Sequence, residues 1–331
     1  MKNTPLILSL LALPLPALAV VNGTSVNWSD NDNVVQLNNE SSSETGKCTG
    51  MLIAGKYTLT AGHCVSQVDT IVTSSGDKLT YSSSTPTSNP TWGDDVALLE
   101  SDRVSYSDIQ FFIETNPYAN VGQAMTITGF GGTPGALNTA NFTISAENAH
   151  YGTETLKADM VDTSYTTGGD SGSSWLNVNN EIIAVHKGSV DDPVYGRETY
   201  STNVHYVRDF LKDTVNGWHY PTLASTTNDK VTITVQSLHK NTTSDAAYSE
   251  GSISIVGGSC VGDSAIDAFE KCTYEIEGSG EGKLYLTANE YVHINKPSTQ
   301  SSGNATEGGG SGGSLGFFTL MLLPLLLRKK Q

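Results

Sequence analysis

A chain of 331 residues has room for one large domain or two modest ones. Only 16% of the residues are charged and glycine is plentiful, which favours a β-rich, turn-rich extracellular protein over a helical one. A formal net charge of −16 works against nucleic acid and anionic membrane surfaces as partners, because both reward basic proteins.

The first stretch, Met1 to Ala19, has the three parts of a signal peptide. Lys2 supplies the positive start, Leu6 to Leu13 the apolar centre, and Ala17-Leu18-Ala19 the small-residue cleavage site. Pro5, Pro14 and Pro16 oppose a buried helix there. Export permits the four cysteines to form two disulfides, and proximity in sequence pairs Cys48 with Cys64 and Cys260 with Cys272. No pair has the short spacing of a zinc site, so no metal and no cofactor are expected.

Ile53 to Leu59 has the apolar, β-branched character of a strand with a turn at Ala54-Gly55. His63 follows it directly and stands beside Cys64, whose disulfide would close a loop of about 15 residues, worth on the order of 3 kcal/mol. Downstream, Asp95 abuts the apolar run Val96 to Leu99, and an aspartate entering a buried strand is costly without a partner. A histidine ring N–H is such a partner, since the carboxylate fixes its tautomer and steadies the imidazolium. The third stretch is Thr166-Thr167-Gly168-Gly169-Asp170-Ser171-Gly172-Ser173. A serine on a glycine-rich turn frees the amides of Gly169 and Ser171 to face a developing oxyanion. Its hydroxyl needs a base, and the base needs an orienting group.

Residues 219–230 turn rich in Thr and Ser and read as a linker. Residues 231–295 then carry alternating runs: Val231 to Val235, Ser252 to Val256, Thr273 to Ile276 and Lys283 to Leu286. Their length, period and disulfide suggest a small β-sandwich without a catalytic constellation. A Ser/Gly linker follows over 296–314. Residues 315–331 comprise an apolar helix, Leu315 to Leu327, and a basic tail. Thirteen residues make about 20 Å of helix, short of a hydrocarbon core of roughly 30 Å.

Thr60-Ala61-Gly62-His63-Cys64, Asp95-Val96-Ala97-Leu98 and Gly169-Asp170-Ser171-Gly172 resemble the signature segments of trypsin-like serine endopeptidases, in their chain order. The resemblance spans about Val20 to Trp218. It implies two six-stranded antiparallel β-barrels with a triad of His63, Asp95 and Ser171 between them, and a C-terminal helix over Val204 to Val215. The cysteine pair that usually braces the nucleophile loop is missing, and Gly172-Ser173-Ser174 replaces the usual Gly-Gly-Pro. The nucleophile segment is closer to the glutamyl endopeptidase branch. Tyr165 stands where trypsin has its pocket aspartate, which removes the warrant for cleavage after Arg or Lys. By the same resemblance, Ile182 to Ser189 is the pocket wall, with His186, Thr166 and Ser189 placed to donate to a substrate carboxylate.

Cleavage after Ala19 leaves Val20-Val21-Asn22-Gly23, similar to the new N-terminus of an activated trypsin-like enzyme. The family mechanism then implies an ion pair between the Val20 amine and Asp170. The order of glycine cluster, short apolar helix and basic tail resembles the GlyGly C-terminal sorting signal of exported bacterial proteins, which implies removal by a rhomboid-type protease. The expectation is a secreted or surface serine endopeptidase acting on proteins or peptides, processed by signal peptidase and the sorting protease. The rival is a catalytically silent trypsin-fold adhesin, but all three triad positions are filled.

Overall fold

The computed structural model describes residues 20–87, 93–115, 121–133, 135–147, 154–192 and 196–297. The signal peptide, the Ser/Gly linker beyond 297 and the apolar tail with its basic end lie outside the described residues. Among the described residues no helix is long and apolar enough to cross a membrane.

Alternating β-branched and apolar residues, punctuated by Gly, Asn and Asp turns, build antiparallel strands through most of the chain. The first sheet runs Lys78–Leu79, Thr70–Val72, Val34–Asn39, Glu44–Ile53, Tyr57–Thr60, Ala97–Glu100, Ser83–Pro86. Its edge strands are short and polar, and Pro86 has no N–H to offer, so the described sheet stays open as a half-barrel of seven strands. The second sheet closes. Ala124–Gly129, Asn138–Glu147, Thr155–Met160, Gly196–Asn203, Ile182–Asp192 and Ser174–Asn177 form a six-stranded ring, with Thr24–Ser25 added at one edge.

The inner strands of the first sheet are buried on both faces, and successive residues go to different cores. Val35, Leu37, Leu52 and Leu99 fill the half-barrel with Cys48, Cys64 and Tyr106. Val34, Met51, Ile53 and Leu98 point the other way and join the core of the closed barrel. The two barrels therefore share a wall of apolar side chains, and the loops above that wall carry the expected catalytic residues. Both expected disulfides are present, Cys48–Cys64 and Cys260–Cys272.

The C-terminal helix of the protease region begins as a 3-10 turn, Val204–Val207, and continues as Arg208–Val215. Val204, Val207 and Leu211 lie on its buried face and Phe210 packs beside them. Beyond it, Trp218–His219, Lys230–Ser237, Lys271–Glu277 and Ser254–Gly257 form one sheet, and Leu223–Ala224, Tyr291–Ile294, Gly282–Tyr285 and Tyr248–Gly251 a second. Both contribute to one apolar core, which makes the expected small sandwich.

The stretch 219–230 differs from the linker its composition suggests. Trp218–His219 pairs with Ser237–Gln236, and Leu223–Ala224 pairs with His293–Ile294. Thr222, polar by composition, spends its hydroxyl on the Tyr106 main chain, accepting from the N–H at 2.7 Å and donating to the carbonyl at 3.0 Å. Buried His219 is keyed between the two folds. Its Nδ1 accepts from the Ala54 N–H at 3.2 Å and its Nε2 lies 2.9 Å from the Gln110 carbonyl, while burial holds the ring down at about 4.

Gln236 bonds across the same seam. Its amide nitrogen donates to the carbonyls of Phe112 at 2.8 Å and Phe269 at 2.9 Å, and its oxygen accepts from the Phe112 N–H at 2.9 Å. Arg103 adds bonds to the carbonyls of Thr222 and Tyr291. The sandwich is thus bonded to the protease fold through groups that have no water to turn to. Replacing Gln236 by Ala strands three buried backbone groups, and the expected loss is about 2–4 kcal/mol in denaturant unfolding. A loss under about 0.5 kcal/mol, the level of an ordinary surface substitution, would show the seam to be energetically idle.

Candidate active site

The register of the first sheet assembles the histidine and the aspartate. Tyr57–Thr60 pairs with Ala97–Glu100 so that Thr60 faces Ala97. His63, on the 3-10 turn Gly62–Cys64 just after one strand, therefore meets Asp95, just before the other. Asp95 is 2% exposed and gives one oxygen to each donor of His63. Oδ1 accepts the His63 main-chain N–H at 2.7 Å, and Oδ2 lies 2.6 Å from Nδ1. A carboxylate on Nδ1 keeps the proton there and leaves Nε2 with its lone pair free to act as a base. The Cys48–Cys64 disulfide ties the residue after His63 to the sheet.

The serine turn docks on the same wall. The Ser171 carbonyl accepts from the Thr49 N–H at 2.8 Å, and Cys64 Sγ lies 3.8 Å from it. Gly172 has φ +89°, and a Cβ there would stand 2.1 Å from Thr60 Oγ1 and 2.2 Å from the Thr49 carbonyl. Only glycine permits so close an approach, and it brings Ser171 against the residues that lead into His63. Gly172 N–H and the Ser173 carbonyl are held by the His186 main chain at 2.9 and 2.7 Å. Among the described residues, the amides of Gly169 and Ser171 have no hydrogen-bond partner.

Asp170 supports this turn from below and is fully buried. Its carboxylate accepts from Gly131 N–H at 2.8 Å, from Thr167 N–H at 2.9 Å and from the backbone N–H of Val20. Burial outweighs these donors and pushes the carboxyl up to about 6. A Cβ on Gly131 would overlap that carboxylate at 2.3 Å, so the loop needs glycine there to close over it. Val20 is itself fully buried.

The four expected pocket residues lie together but differ in what they offer. His186 is 1% exposed, and both ring nitrogens are engaged. Nδ1 accepts from Trp175 Nε1 at 3.4 Å, and the other nitrogen donates to the Tyr200 main chain. Burial, reinforced by repulsion from His63, holds its pKa down at about 3, so the ring is neutral. The position expected to receive a carboxylate is thus filled by an internally satisfied histidine. Thr166 is buried with its hydroxyl 3.5 Å from that of Thr199, and Ser189 Oγ donates to the Thr166 carbonyl at 3.1 Å. Tyr165 lies under a guanidinium, with Arg197 Cζ 4.2 Å from its ring centre.

Two further residues belong to this site. The ladder between Ile182–Asp192 and Gly196–Asn203 slips between His186 and Gly188, leaving Lys187 in the bulge. Half-buried Lys187 donates to the Gly93 carbonyl at 2.6 Å, beside the Asp94-Asp95 turn. Burial holds its ammonium below the usual lysine range, with Asp95, Glu154 and Asp94 pulling it back. Arg197 is the second, bonded to Thr166 and Ser189. The sequence signals for both are a charged residue on a strand, which gives no hint of pairing or bulge.

Comparison with known proteins gives the family and relatives of known fold. The family model described as Trypsin matches residues 20–211. Over 109 residues the chain is 32% identical to the glutamyl endopeptidase of Staphylococcus aureus strain MW2, a match covering 33% of this chain and 30% of that protein. Among solved structures, a mutant of human heparin binding protein superposes with a TM-score of 0.51 at 18% identity, over 59% of this chain and 96% of that one. The secreted serine protease VesC of Vibrio cholerae gives a TM-score of 0.46 at 16% identity, over 82% of this chain and 70% of that one. With a family match running through more than half of its length, from buried Val20 into the C-terminal helix, the chain belongs to the trypsin family.

Proposed function

We propose that the protein is a secreted serine endopeptidase whose triad is His63, Asp95 and Ser171. The observation that carries this reading is the pair of hydrogen bonds between His63 and buried Asp95, which leaves Nε2 as the ring nitrogen free for Ser171. In the reaction His63 takes the Ser171 hydroxyl proton as Oγ bonds to the scissile carbonyl carbon. The amides of Gly169 and Ser171 hold the resulting oxyanion, each worth about 3–4 kcal/mol on precedent. The C–N bond then breaks, the proton passes to the leaving amine, and water releases the acyl group by the same route. Protein or peptide substrates follow from this chemistry. The glutamyl endopeptidase similarity supports a preference for Glu before the scissile bond.

Activation follows from the contact between Val20 and Asp170. In the uncut chain Val20 offers Asp170 only an amide N–H. Signal peptidase cutting after Ala19 turns that amide into an ammonium at the same place, giving a buried carboxylate the counter-charge it lacks. The GlyGly-like tail would hold the protein at the envelope of a bacterium until a rhomboid-type protease removes it.

Ser171→Ala and His63→Ala are each expected to lower kcat/KM on a peptide substrate by about four to six orders of magnitude, with the double variant little worse than either. Asp95→Asn should cost about 10⁴-fold. Near-normal turnover by any single variant, with Ser171 or His63 replaced, would remove the triad.

The activation contact has a pH signature. In a form with one residue added before Val20, the Asp170 carboxyl sits at about 6, above its ordinary value of about 3.9. Ionising it therefore costs stability, a cost absent below about pH 3.9 and complete above about 6. In the mature form the Val20 ammonium offsets that cost. Pairing raises the amine above its ordinary value of about 7.7–8.0, so its contribution is full below about pH 7.7 and lost as pH climbs through the raised value. The mature form should melt higher than the extended form between about pH 6 and 8, with the gap closing on either side, and the extended form should be nearly inactive. Equal melting at pH 7 together with full activity of the extended form would contradict this.

A further inference from the structure

We propose that Arg197, rather than His186, receives the acidic side chain of the substrate residue before the scissile bond. The proposal rests on the endopeptidase reading above and assigns the group that sets its specificity. Strand pairing brings Arg197 opposite Asp191, near the turn end of the hairpin whose other strand carries Ser189. From there its side chain reaches the residues of the expected pocket. Nη2 donates to the Thr166 carbonyl at 2.8 Å and to Ser189 Oγ at 3.3 Å, and the guanidinium lies over the ring of Tyr165. Arg197 therefore touches three of the four residues that line the pocket, and the fourth, His186, is neutral with both ring nitrogens taken.

A guanidinium has five N–H donors. Nη2 makes two bonds inside the pocket, and Nη1 faces both oxygens of Asp191 at 3.0 and 3.1 Å. The remaining donor, Nε–H, is buried and has no hydrogen-bond partner among the described residues. Sealed from solvent, that N–H leaves the guanidinium's charge incompletely met, and the edge a ligand can reach is Nη1, where a carboxylate takes the place of exposed Asp191. A substrate carboxylate supplies both the acceptor and the charge. The planar face on Tyr165 and the two wall bonds hold the fork in place before the ligand arrives.

The other charges nearby do not compete from inside. Glu198, next along the strand, is buried but already bonded to Lys157 and to the Tyr200 hydroxyl. Asp191 reaches Arg197 from the solvent side, with its side chain 76% exposed, so water screens its hold on the guanidinium. It orients the fork and partly offsets its charge, which makes it a restraint on affinity for acidic residues.

The test uses the mature protein and peptides that differ only at the residue before the scissile bond. The wild type should favour Glu over its neutral isostere Gln. In Arg197→Gln the Glu-to-Gln ratio of kcat/KM should fall about 10- to 100-fold, the worth of a charge-assisted hydrogen bond, chiefly through KM. Arg197→Lys, which keeps the charge but not the fork, should retain part of the ratio. Asp191→Asn, an exposed change, should raise it about two- to five-fold. A ratio unmoved in Arg197→Gln, or lowered by Asp191→Asn, would overturn the assignment. If no peptide is cut at all, the endopeptidase reading fails on its own. Arg197 is then tested by calorimetry of Ser171→Ala with a peptide ending in Glu. Binding should weaken about 10- to 100-fold when Arg197→Gln is added, and unchanged binding would overturn the proposal.

Discussion

The buried carboxylate of Asp170 is the constraint on which the active-site loops depend. A carboxylate taken fully out of water is costly unless its oxygens are bonded and its charge is met. Here three backbone N–H groups from distant parts of the chain converge on it: Val20, Gly131 and Thr167. They tie the N-terminal segment, a loop of the closed barrel and the start of the serine turn to one atom cluster. Once Asp170 is held, Ser171 has little freedom, and its carbonyl is drawn against Thr49 on the wall shared by both barrels. The geometry of the serine and the state of the N-terminus are thus one problem.

That wall also explains why the site lies where it does. Strands such as Glu44–Ile53 send alternate residues into two cores, so neither barrel can bury its apolar face without the other. The polar loops at the seam hold His63, Asp95 and Ser171 above these two cores. The sandwich domain repeats the principle in polar form. Gln236 and His219 are buried in the seam with their bonding capacity spent across it, so the domain is part of the protease's support.

Much of this was legible in the sequence, and the pattern of what was not has physical causes. His63, Asp95 and Ser171 stood out because each sits beside a local marker: a cysteine, an apolar strand, a glycine turn. The disulfides followed from proximity, and the Val204 to Val215 helix from the family resemblance. The linker reading of 219–230 failed because composition reports polarity, while Thr222 and His219 satisfy theirs inside the structure. Strand Tyr248–Gly251 escaped notice because Tyr-Ser-Glu-Gly carries no apolar alternation. Arg197 was invisible because its position depends on a cross-strand register and that of Lys187 on a bulge, and no short-range pattern encodes either. The resemblance led instead to His186, a buried ring bonded to Trp175 and to the Tyr200 main chain.

The central claim is that His63 activates Ser171, and covalent labelling tests it most directly. The mature protein is treated with a fluorophosphonate probe, and the adduct is located by peptide mass mapping. The account requires one adduct per chain, on the Ser171 hydroxyl, and its loss when His63 is replaced by Ala, because an unassisted serine is a poor nucleophile at neutral pH. No adduct on the wild type, or an undiminished one on Ser171 without His63, would contradict it.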